Sequence, residues 1–488
     1  MTCRLCIFLL ITYFLKVSPS EAQGNEEAKP RITRSTDAIN LVERARSLPP
    51  EFAAKAFLRL IRTPLIADSK WKIELIEEAF QSGGKAQMPF RYEVIGLSAD
   101  SRTRLEFSAN DLEALSIQIE AVEAMLQLDK GRASKLFESI SIQEIPTRTC
   151  QDANIPNLSA YYGMAKKIFE TTFTAKQRKE EDDIRFLENV VLTIRSPSQV
   201  ESALNIVLTT NLTKSQRSFL LSKFAAILDG MGGDDRTFGA TQATLIPEAL
   251  PALAETIVII PALRSYVVRQ LRGPRCHDNI APLGQLPLVA RNFNGFIARI
   301  DKEGTTYRAI AETEIKSVKD EGTFKSEFAW RSSRGKEVLG ALQWLTHGNR
   351  SGQGKTQAWT LDERKMEPWQ DRYDSTLKLI EGWKESEEES PEDYTFVISI
   401  TYKTLATLAI GEAARNRAID SYLRFLEQRY TSTNSRNLWF ASVRMMFDKV
   451  SAGKDEVEQR WLISHFTRSA NPVISVYTDI EQQLIGKH

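Results

Sequence analysis

Cysteine is scarce in this sequence, with four residues among 488. Cys3 and Cys6 lie in the predicted signal segment described below, and no cysteine lies where that segment is expected to be cut. A lipid-anchored product is therefore not expected. The other two, Cys150 and Cys276, either pair as a disulfide that closes a long loop or remain two separate buried thiols. The sequence leaves both possibilities open, because it does not show whether the two sulfur atoms lie within bonding reach.

Histidine is equally rare, with four residues at His277, His347, His465 and His488. No two of them have the spacing of zinc ligands on one element, and the His-Glu-x-x-His motif does not occur. The chain also lacks the Gly-x-Ser-x-Gly turn that carries the nucleophile of many hydrolases. We therefore expect no metal and no cofactor.

A surplus of charge of one sign is missing as well. The chain has 64 basic and 63 acidic residues, and the predicted signal contains only Arg4, Lys16 and Glu21 among them, so the mature chain is neutral. A neutral chain has no general electrostatic attraction for nucleic acid or for an anionic membrane surface. We expect neither as a partner.

The longest uninterrupted apolar run, Leu5 to Leu15, lies close to the N-terminus. Arg4 precedes it and Lys16 follows it, and at about eleven residues it is too short to span a bilayer as an uncleaved anchor. Ser20 and Ala22 place small residues at the two positions that a signal peptidase reads. These features predict a cleavable signal peptide, cut near Ala22, and a secreted or periplasmic mature chain.

A second apolar stretch, from Phe396 to Ile410, has the length of a short transmembrane segment. Lys403 and several threonines interrupt it, and a charged side chain is costly at the centre of a bilayer. We therefore predict a buried core helix at this position, and no stable membrane span after the signal has been removed.

Helical periodicity is clearest between Asp111 and Ile140. Apolar residues recur at alternating steps of three and four, which places them on one face of a helix; they are Leu112, Leu115, Ile119, Val122 and Leu126. The polar run Asp129–Arg132 breaks this helix, and Ala133, Leu136, Phe137 and Ile140 form a second, shorter apolar face. Two amphipathic helices joined by a tight turn form a hairpin that must pack on neighbours to bury its apolar faces.

Similar amphipathic segments precede and follow this hairpin, so we predict an all-α fold of stacked helical hairpins forming an α-α superhelix. The predicted organisation is a signal peptide over 1–22, a flexible lead-in over 23–34, a helical-hairpin array over 35–272, an irregular or mixed middle region over 273–390 and a C-terminal helical bundle over 391–488. The main boundary lies at Gly273–Gly295, which contains three prolines and Cys276.

The middle region contains weaker patterns. Phe296–Ile300 and Thr305–Ile310 alternate around Gly304, which favours a β-hairpin, although a helix is also compatible with the pattern. Val338–Leu345 and Tyr373–Trp383 have helical spacing. The acidic stretch Lys384–Asp393, with Glu385, Glu387, Glu388 and Glu389, is predicted to be a solvated linker.

The turn Leu126–Ala133, followed by Leu136 and Phe137, resembles the helix-turn-helix units of degenerate HEAT or tetratricopeptide repeats. The resemblance extends over about residues 37–272 and concerns architecture alone. It implies a superhelix with a long concave surface of the kind that binds proteins or peptides. No residue roles follow from it.

Three local patterns suggest chemistry, and each has a simpler explanation. Cys150 with His277 as its base is a possible thiol nucleophile, whereas the alternative is a disulfide that anchors the loop. Gly352–Thr356 resembles the end of a phosphate-binding loop, but the first glycine of the motif falls on Asn349. Asp229, Asp234 and Asp235 are possible calcium ligands, but their spacing is not that of an EF-hand and turn formation explains them equally well.

We therefore predict an exported helical scaffold that binds protein or peptide partners, since no catalytic motif is recognised. The alternative is an extracytoplasmic all-α hydrolase or lyase that acts on glycan or peptide through carboxylates with raised pKa values, in a cleft near Trp330–Trp383. A structural component of an envelope assembly is a third possibility.

Overall fold

The computed structural model describes residues 34–86, 91–92, 112–142, 154–155, 158–233, 257–272, 288–315, 332–347, 359–386, 391–432, 436–452 and 456–485. Within these ranges the chain is built from helices, so the predicted all-α fold of packed helices is confirmed. Among the residues that the structure describes, one pairing of strands joins β1 (Arg91–Tyr92) and β2 (Asn154–Ile155), two residues each and antiparallel.

The helices of the first half are α1 (Thr36–Arg46), α2 (Pro50–Leu60), α3 (Ser69–Gly83), α4 (Ala114–Leu126), α5 (Lys130–Glu138), α6 (Leu158–Thr171), α7 (Ala175–Lys179), α8 (Asp182–Val191), α9 (Pro197–Thr209), α10 (Lys214–Gly230), α11 (Ile260–Arg272) and α12 (Leu288–Ile300).

The helices of the second half are α13 (Ser333–His347), α14 (Leu361–Arg364), α15 (Glu367–Glu381), α16 (Pro391–Leu408), α17 (Glu412–Ser432), α18 (Arg436–Ala452), α19 (Glu456–Phe466) and α20 (Pro472–Gln482). One 3-10 turn, Glu312–Glu314, follows α12.

The predicted hairpin over Asp111–Ile140 is confirmed as α4 and α5, apart from Asp111 itself, which lies outside the described residues. Its apolar residues are buried in the core, with Leu136 partly buried. The side chain of Asp129 caps α5 by accepting the backbone N–H of Arg132 at 3.0 Å. This bond satisfies one of the donors left free at a helix start, so the polar run ends one helix and begins the next.

Helix ends elsewhere in the first half also follow the sequence signals. Ser35 caps α1 by accepting the backbone N–H of Ala38, and Pro50 occupies the first position of α2. Proline is suited to that position because its missing N–H has no partner there in any case. Thr213 caps α10 in a reciprocal capping box with Gln216.

The first-half helices pack largely on neighbours in the sequence. Each of α1 to α5 packs on the next helix, and α6 contacts both α4 and α5. Further along the chain, α8 and α9 pack on α6, α10 packs on α8 and α9, α11 packs on α10, and α12 packs on α11. This order is what stacked hairpins require. The assignment to a repeat class stays a prediction.

The middle of the chain is more helical than the sequence indicated. Phe296–Ile300 forms the last part of α12, so the β-hairpin interpretation of this segment is wrong and the helical alternative is right. Phe293, Phe296 and Ile297 recur at helical spacing and are buried together, which outweighs the short alternation. The turn after α12 is held by Asp301, whose carboxylate accepts the backbone N–H groups of Thr305, Thr306 and Tyr307.

The second-half helices form one connected group. α13 packs on α15 and α16, and α16 packs on α17 and α18. Because of these contacts, α13 and α15 belong to the same packed group as the C-terminal helices. The domain boundaries at 272 and 390 stay predictions. Phe396–Ile410 is mostly in α16, where Phe396, Val397 and Ile398 are buried, as expected for a core helix. In the described ranges, no helix combines the length and apolar character needed to cross a membrane.

The predicted acidic linker is partly ordered. Glu385 forms an ion pair with Arg429 of α17 at 2.5 Å, and Arg429 also donates to the carbonyl of Pro391 and the hydroxyl of Thr395. Glu385 is therefore anchored on the bundle, and α16 already begins at Pro391. Glu387, Glu388 and Glu389 lie outside the described residues.

The first and last described helices meet. α20 packs on α1 and α2 as well as on α18 and α19. Phe52 of α2 lies against Trp439 and Phe440 of α18, with ring centroids 5.7 and 5.5 Å apart. The helical-hairpin array and the C-terminal helices therefore share a core where α1 and α2 meet α18 and α20, and we call this contact region the seam. About 400 residues of sequence separate its two sides.

Candidate functional site

Most residues singled out for chemistry in the sequence lie outside the described ranges. These are Cys150, Cys276, His277, Asp234, Asp235, Trp330 and the segment 348–356. The proposed disulfide and the thiol nucleophile therefore stay predictions. Asp229 is described and is an exposed residue near the end of α10.

The two histidines in the described ranges are unlike each other. His347 is exposed at the end of α13, whereas His465 is buried in α19. The Nδ1 atom of His465 lies 3.0 Å from the carbonyl of Trp461, and the two rings pack at 4.7 Å. Among the described residues, no group of three or more His, Cys, Asp or Glu is arranged to hold a metal ion.

Two tryptophans of the middle region belong to the core. Trp369 is buried in α15 and stacks on Tyr373, with centroids 5.5 Å apart. Trp383 is buried edge-on against Tyr394, whose hydroxyl donates to the carbonyl of Trp383 at 2.6 Å. These two residues hold the second-half helices together, and aromatic pairs of this kind commonly serve packing.

Two other tryptophans are only half-buried. Trp344 on α13 and Trp359, just before α14, pack with ring centroids 5.1 Å apart. The indole N–H of Trp359 donates to the carbonyl of Trp344 at 2.7 Å, which fixes the orientation of its ring. Both rings are therefore held in place while part of their surface faces solvent.

Exposed apolar side chains follow this pair along the chain. Leu361 is 63% exposed and Met366 is 58% exposed, although both are large and apolar. We call Trp344, Trp359, Leu361 and Met366 the tryptophan surface. Single exposed apolar residues are common, but two large ones that follow a pair of half-buried aromatic residues so closely in the chain make this segment a candidate contact surface.

The second group of interest lies at the seam, where Lys55, Arg444 and Glu481 are buried and two further charged residues are partly exposed. We call Lys55, Arg59, Glu120, Arg444 and Glu481 the seam cluster. Arg59 of α2 donates from Nε and Nη2 to the two carboxylate oxygens of Glu481 in α20, each at 2.9 Å. Arg444 of α18 donates to Glu481 at 2.5 Å, and Lys55 of α2 donates to Glu120 of α4 at 2.5 Å.

The seam cluster keeps both of its carboxyl groups ionised. Burial alone would raise the pKa of Glu481, but the charges of Arg444 and Arg59 and their hydrogen bonds hold it below its ordinary value. Burial would likewise raise the pKa of Glu120, and Lys55, with smaller effects from Arg62 and Arg444, holds it low. Burial raises the pKa of the neighbouring Tyr477 hydroxyl well above its ordinary value.

A general acid needs a carboxyl group that stays protonated near neutral pH. Four described carboxyl groups have displaced pKa values: Glu120, Asp301, Glu314 and Glu481, and each is lowered. For Glu314 the largest cause is the hydrogen bond from Arg264. These four do not supply the raised pKa that the hydrolase alternative requires, so that alternative stays a prediction without support from them.

Sequence reasoning missed the seam cluster because its members have no local signature. Lys55, Glu120 and Glu481 are ordinary charged residues in helical segments, and only the packing of four helices brings them together. The tryptophan surface was partly predictable, since Trp344 and Trp359 lie within Trp330–Trp383, the range where the sequence places the cleft of the hydrolase alternative.

Comparisons with known proteins do not assign a class to this chain. No family model, no curated protein and no solved structure matches it. The tryptophan surface and the seam cluster are therefore the features of this chain that bear on its function.

Proposed function

We propose that the protein is an exported helical scaffold that binds protein or peptide partners through the tryptophan surface. The observation that carries the proposal is the half-buried, hydrogen-bonded Trp344–Trp359 pair, which is followed two and seven residues later in the chain by the exposed Leu361 and Met366. Stacked helices provide a rigid frame on which such a surface is presented.

The chemistry of these four residues suits protein recognition. Tryptophan is enriched among the residues that contribute most to binding at protein interfaces, and a rigid ring loses little conformational entropy when it is covered. Methionine has a flexible and polarisable side chain that adapts to partners of different shape. Because the Trp359 N–H is already bonded within the protein, a partner is expected to cover the ring faces rather than to bond the indole nitrogen.

Export is the second part of the proposal. The basic start, the apolar run Leu5–Leu15 and the small residues Ser20 and Ala22 support cleavage near Ala22 and a secreted or periplasmic location. The partners are then expected among proteins or peptides of the same compartment. N-terminal sequencing of the protein from that compartment tests this part, and a mature chain that retains Leu5–Leu15 would contradict it.

The binding proposal is tested with the mature chain as immobilised bait in an extract of its own compartment, followed by direct measurement with a purified partner. We expect Leu361→Ser combined with Met366→Ser to weaken binding by roughly tenfold or more, since fully covering an exposed leucine or methionine side chain contributes about 1.5–3 kcal/mol. Biolayer interferometry measures the change in dissociation constant.

The matched control is Val457→Ser, because Val457 is an apolar helix residue that is 76% exposed on α19 and lies outside the tryptophan surface. We expect this variant to bind like the unmodified chain. A chain that captures no partner, or a partner whose affinity falls equally in both variants, would count against the proposal.

A further inference from the structure

The helix α20 occupies a central position at the seam. Within its eleven residues, the side chains that face α1, α2, α18 and α19 are buried: Val473, Ile474, Val476, Tyr477, Thr478, Ile480 and Glu481. A surface helix normally buries one stripe and exposes the rest. α20 is therefore covered from two sides: by α1 and α2, which we call the first hairpin, and by the C-terminal helices α18 and α19.

Polar contacts join α20 to α1 and α2 through four of its residues, one of which is Ser475, whose hydroxyl accepts a hydrogen bond from Arg44 at 2.9 Å. The hydroxyl of Tyr477 donates to the backbone carbonyl of Phe52 at 3.1 Å, in the core. Glu481 accepts two hydrogen bonds from Arg59, and Asp479 pairs with Arg44 on the exposed side of the seam. Contacts of this geometry fix the position of α20 along α1 and α2 and not only its distance from them.

The first hairpin in turn depends on these partners. Glu51 of α2 is fully buried and accepts a hydrogen bond from Arg436 of α18. Phe52 is also fully buried, against Trp439 and Phe440 of α18. Without α18 and α20, α2 would expose the ring of Phe52 to water, which costs apolar burial, and Glu51 would lose its hydrogen bond from Arg436.

We propose that α20 holds α1 and α2 in place against α18, and that α1, α2, α18 and α20 open and close as one cooperative unit across the seam. Displacing α20 then loosens the first hairpin, although the two are far apart in sequence. Local opening in proteins commonly follows such contiguous units rather than the order of the chain.

Hydrogen exchange of the full-length mature chain, followed by mass spectrometry, tests this proposal. The test variant is Glu481→Gln, which removes the charge shared by Arg59 and Arg444 and keeps the size of the side chain. We expect exchange in peptides from α20, from α18 and from α1–α2 to become faster by the same factor, roughly 100-fold for a buried ion pair that loses one partner. Peptides from α8–α10, which do not form the seam, are expected to exchange at the original rate.

Asp479→Asn is the matched control, because it removes a charge from the same helix at a solvent-exposed pair with Arg44. Exposed pairs contribute little, so we expect less than about a fivefold change. Ile480→Ala, at a fully buried apolar position, provides a second test that does not depend on charge. Faster exchange in α20 without any change in α1–α2, in either Glu481→Gln or Ile480→Ala, would overturn the proposal.

Discussion

At the scale of single residues, Gly233 shows how closely two backbones approach after α10. A Cβ atom built on Gly233 would lie 2.7 Å from the backbone oxygen of Arg269 in α11. A backbone oxygen moves much less readily than the end of a side chain. The neighbouring Gly232 accepts a hydrogen bond from Gln270, so this glycine-rich segment is packed against α11.

We therefore expect Gly233→Ala to lower the free energy of unfolding by about 1–3 kcal/mol, the range for overpacked sites. Gly230→Ala is the matched control, because a Cβ atom there meets no neighbour within 4 Å and Gly230 belongs to α10. Alanine is the better helix former by up to about 1 kcal/mol, so this control is expected to be neutral or stabilising. Urea unfolding measures both, and equal destabilisation by the two substitutions would contradict the packing argument.

Glu481 predicts a specific acid dependence. Its pKa in the folded protein lies below the ordinary value of 4.5, because the charges and hydrogen bonds of Arg444 and Arg59 outweigh the cost of burial. A carboxyl group of this kind stabilises the folded state fully above pH 4.5, and this contribution is lost as the pH falls through the lowered pKa.

We expect Glu481→Gln to have a shallower loss of stability than the unmodified chain as the pH falls below 4.5, in addition to a lower stability at pH 7. Urea midpoints measured between pH 3 and pH 7 give both quantities. If the urea midpoints of the two proteins fell in parallel as the pH was lowered, the lowered pKa of Glu481 in the folded protein would be contradicted.

At the scale of elements, helix positions were predictable because their signals are local. The apolar spacing in α4, the cap at Ser35 and the proline at the start of α2 all lie within a few residues of the feature they determine. One exception was Phe296–Ile300, where five residues of alternation were too short to outweigh the helical pattern of the longer segment. Helical spacing over a long segment is a more reliable guide to secondary structure than alternation over a few residues.

The candidate sites were less predictable, for a physical reason. The tryptophan surface depends on which of the tryptophans face solvent: Trp344 and Trp359 do, whereas Trp369 does not, and composition does not distinguish them. The seam cluster requires α2, α4, α18 and α20 to meet, and periodicity within one helix carries no information about its distant partners. Burial of Glu51 and Glu481 was likewise invisible from the sequence.

At the scale of the whole molecule, tyrosines are buried in helices of both halves, and their ionisation is therefore linked to the stability of the fold. Burial raises the pKa of Tyr162 in α6, Tyr422 in α17 and Tyr477 in α20 above the ordinary value of 10. Their protonated form stabilises the folded state below pH 10, and this contribution is lost as the pH rises through the raised values.

We therefore expect these tyrosines to ionise together with unfolding in alkali, rather than as independent surface groups. Absorbance of tyrosinate and the helical circular dichroism signal are expected to change over the same pH interval above 10. A tyrosine titration that is complete while the helical signal is intact would contradict the burial of Tyr162, Tyr422 and Tyr477.

The central claim is that the first and last described helices lie in contact, so that helices from both halves of the sequence share one core. Its most direct test is a cross-link between cysteines introduced at Arg44 and Asp479, whose side chains form an ion pair across the seam. In a background with Cys150 and Cys276 replaced by serine, we expect a short bismaleimide to join the two positions within one chain. Cross-linking of Arg44→Cys with Asp479→Cys no faster than of Arg44→Cys with Glu188→Cys, on α8, would contradict the account.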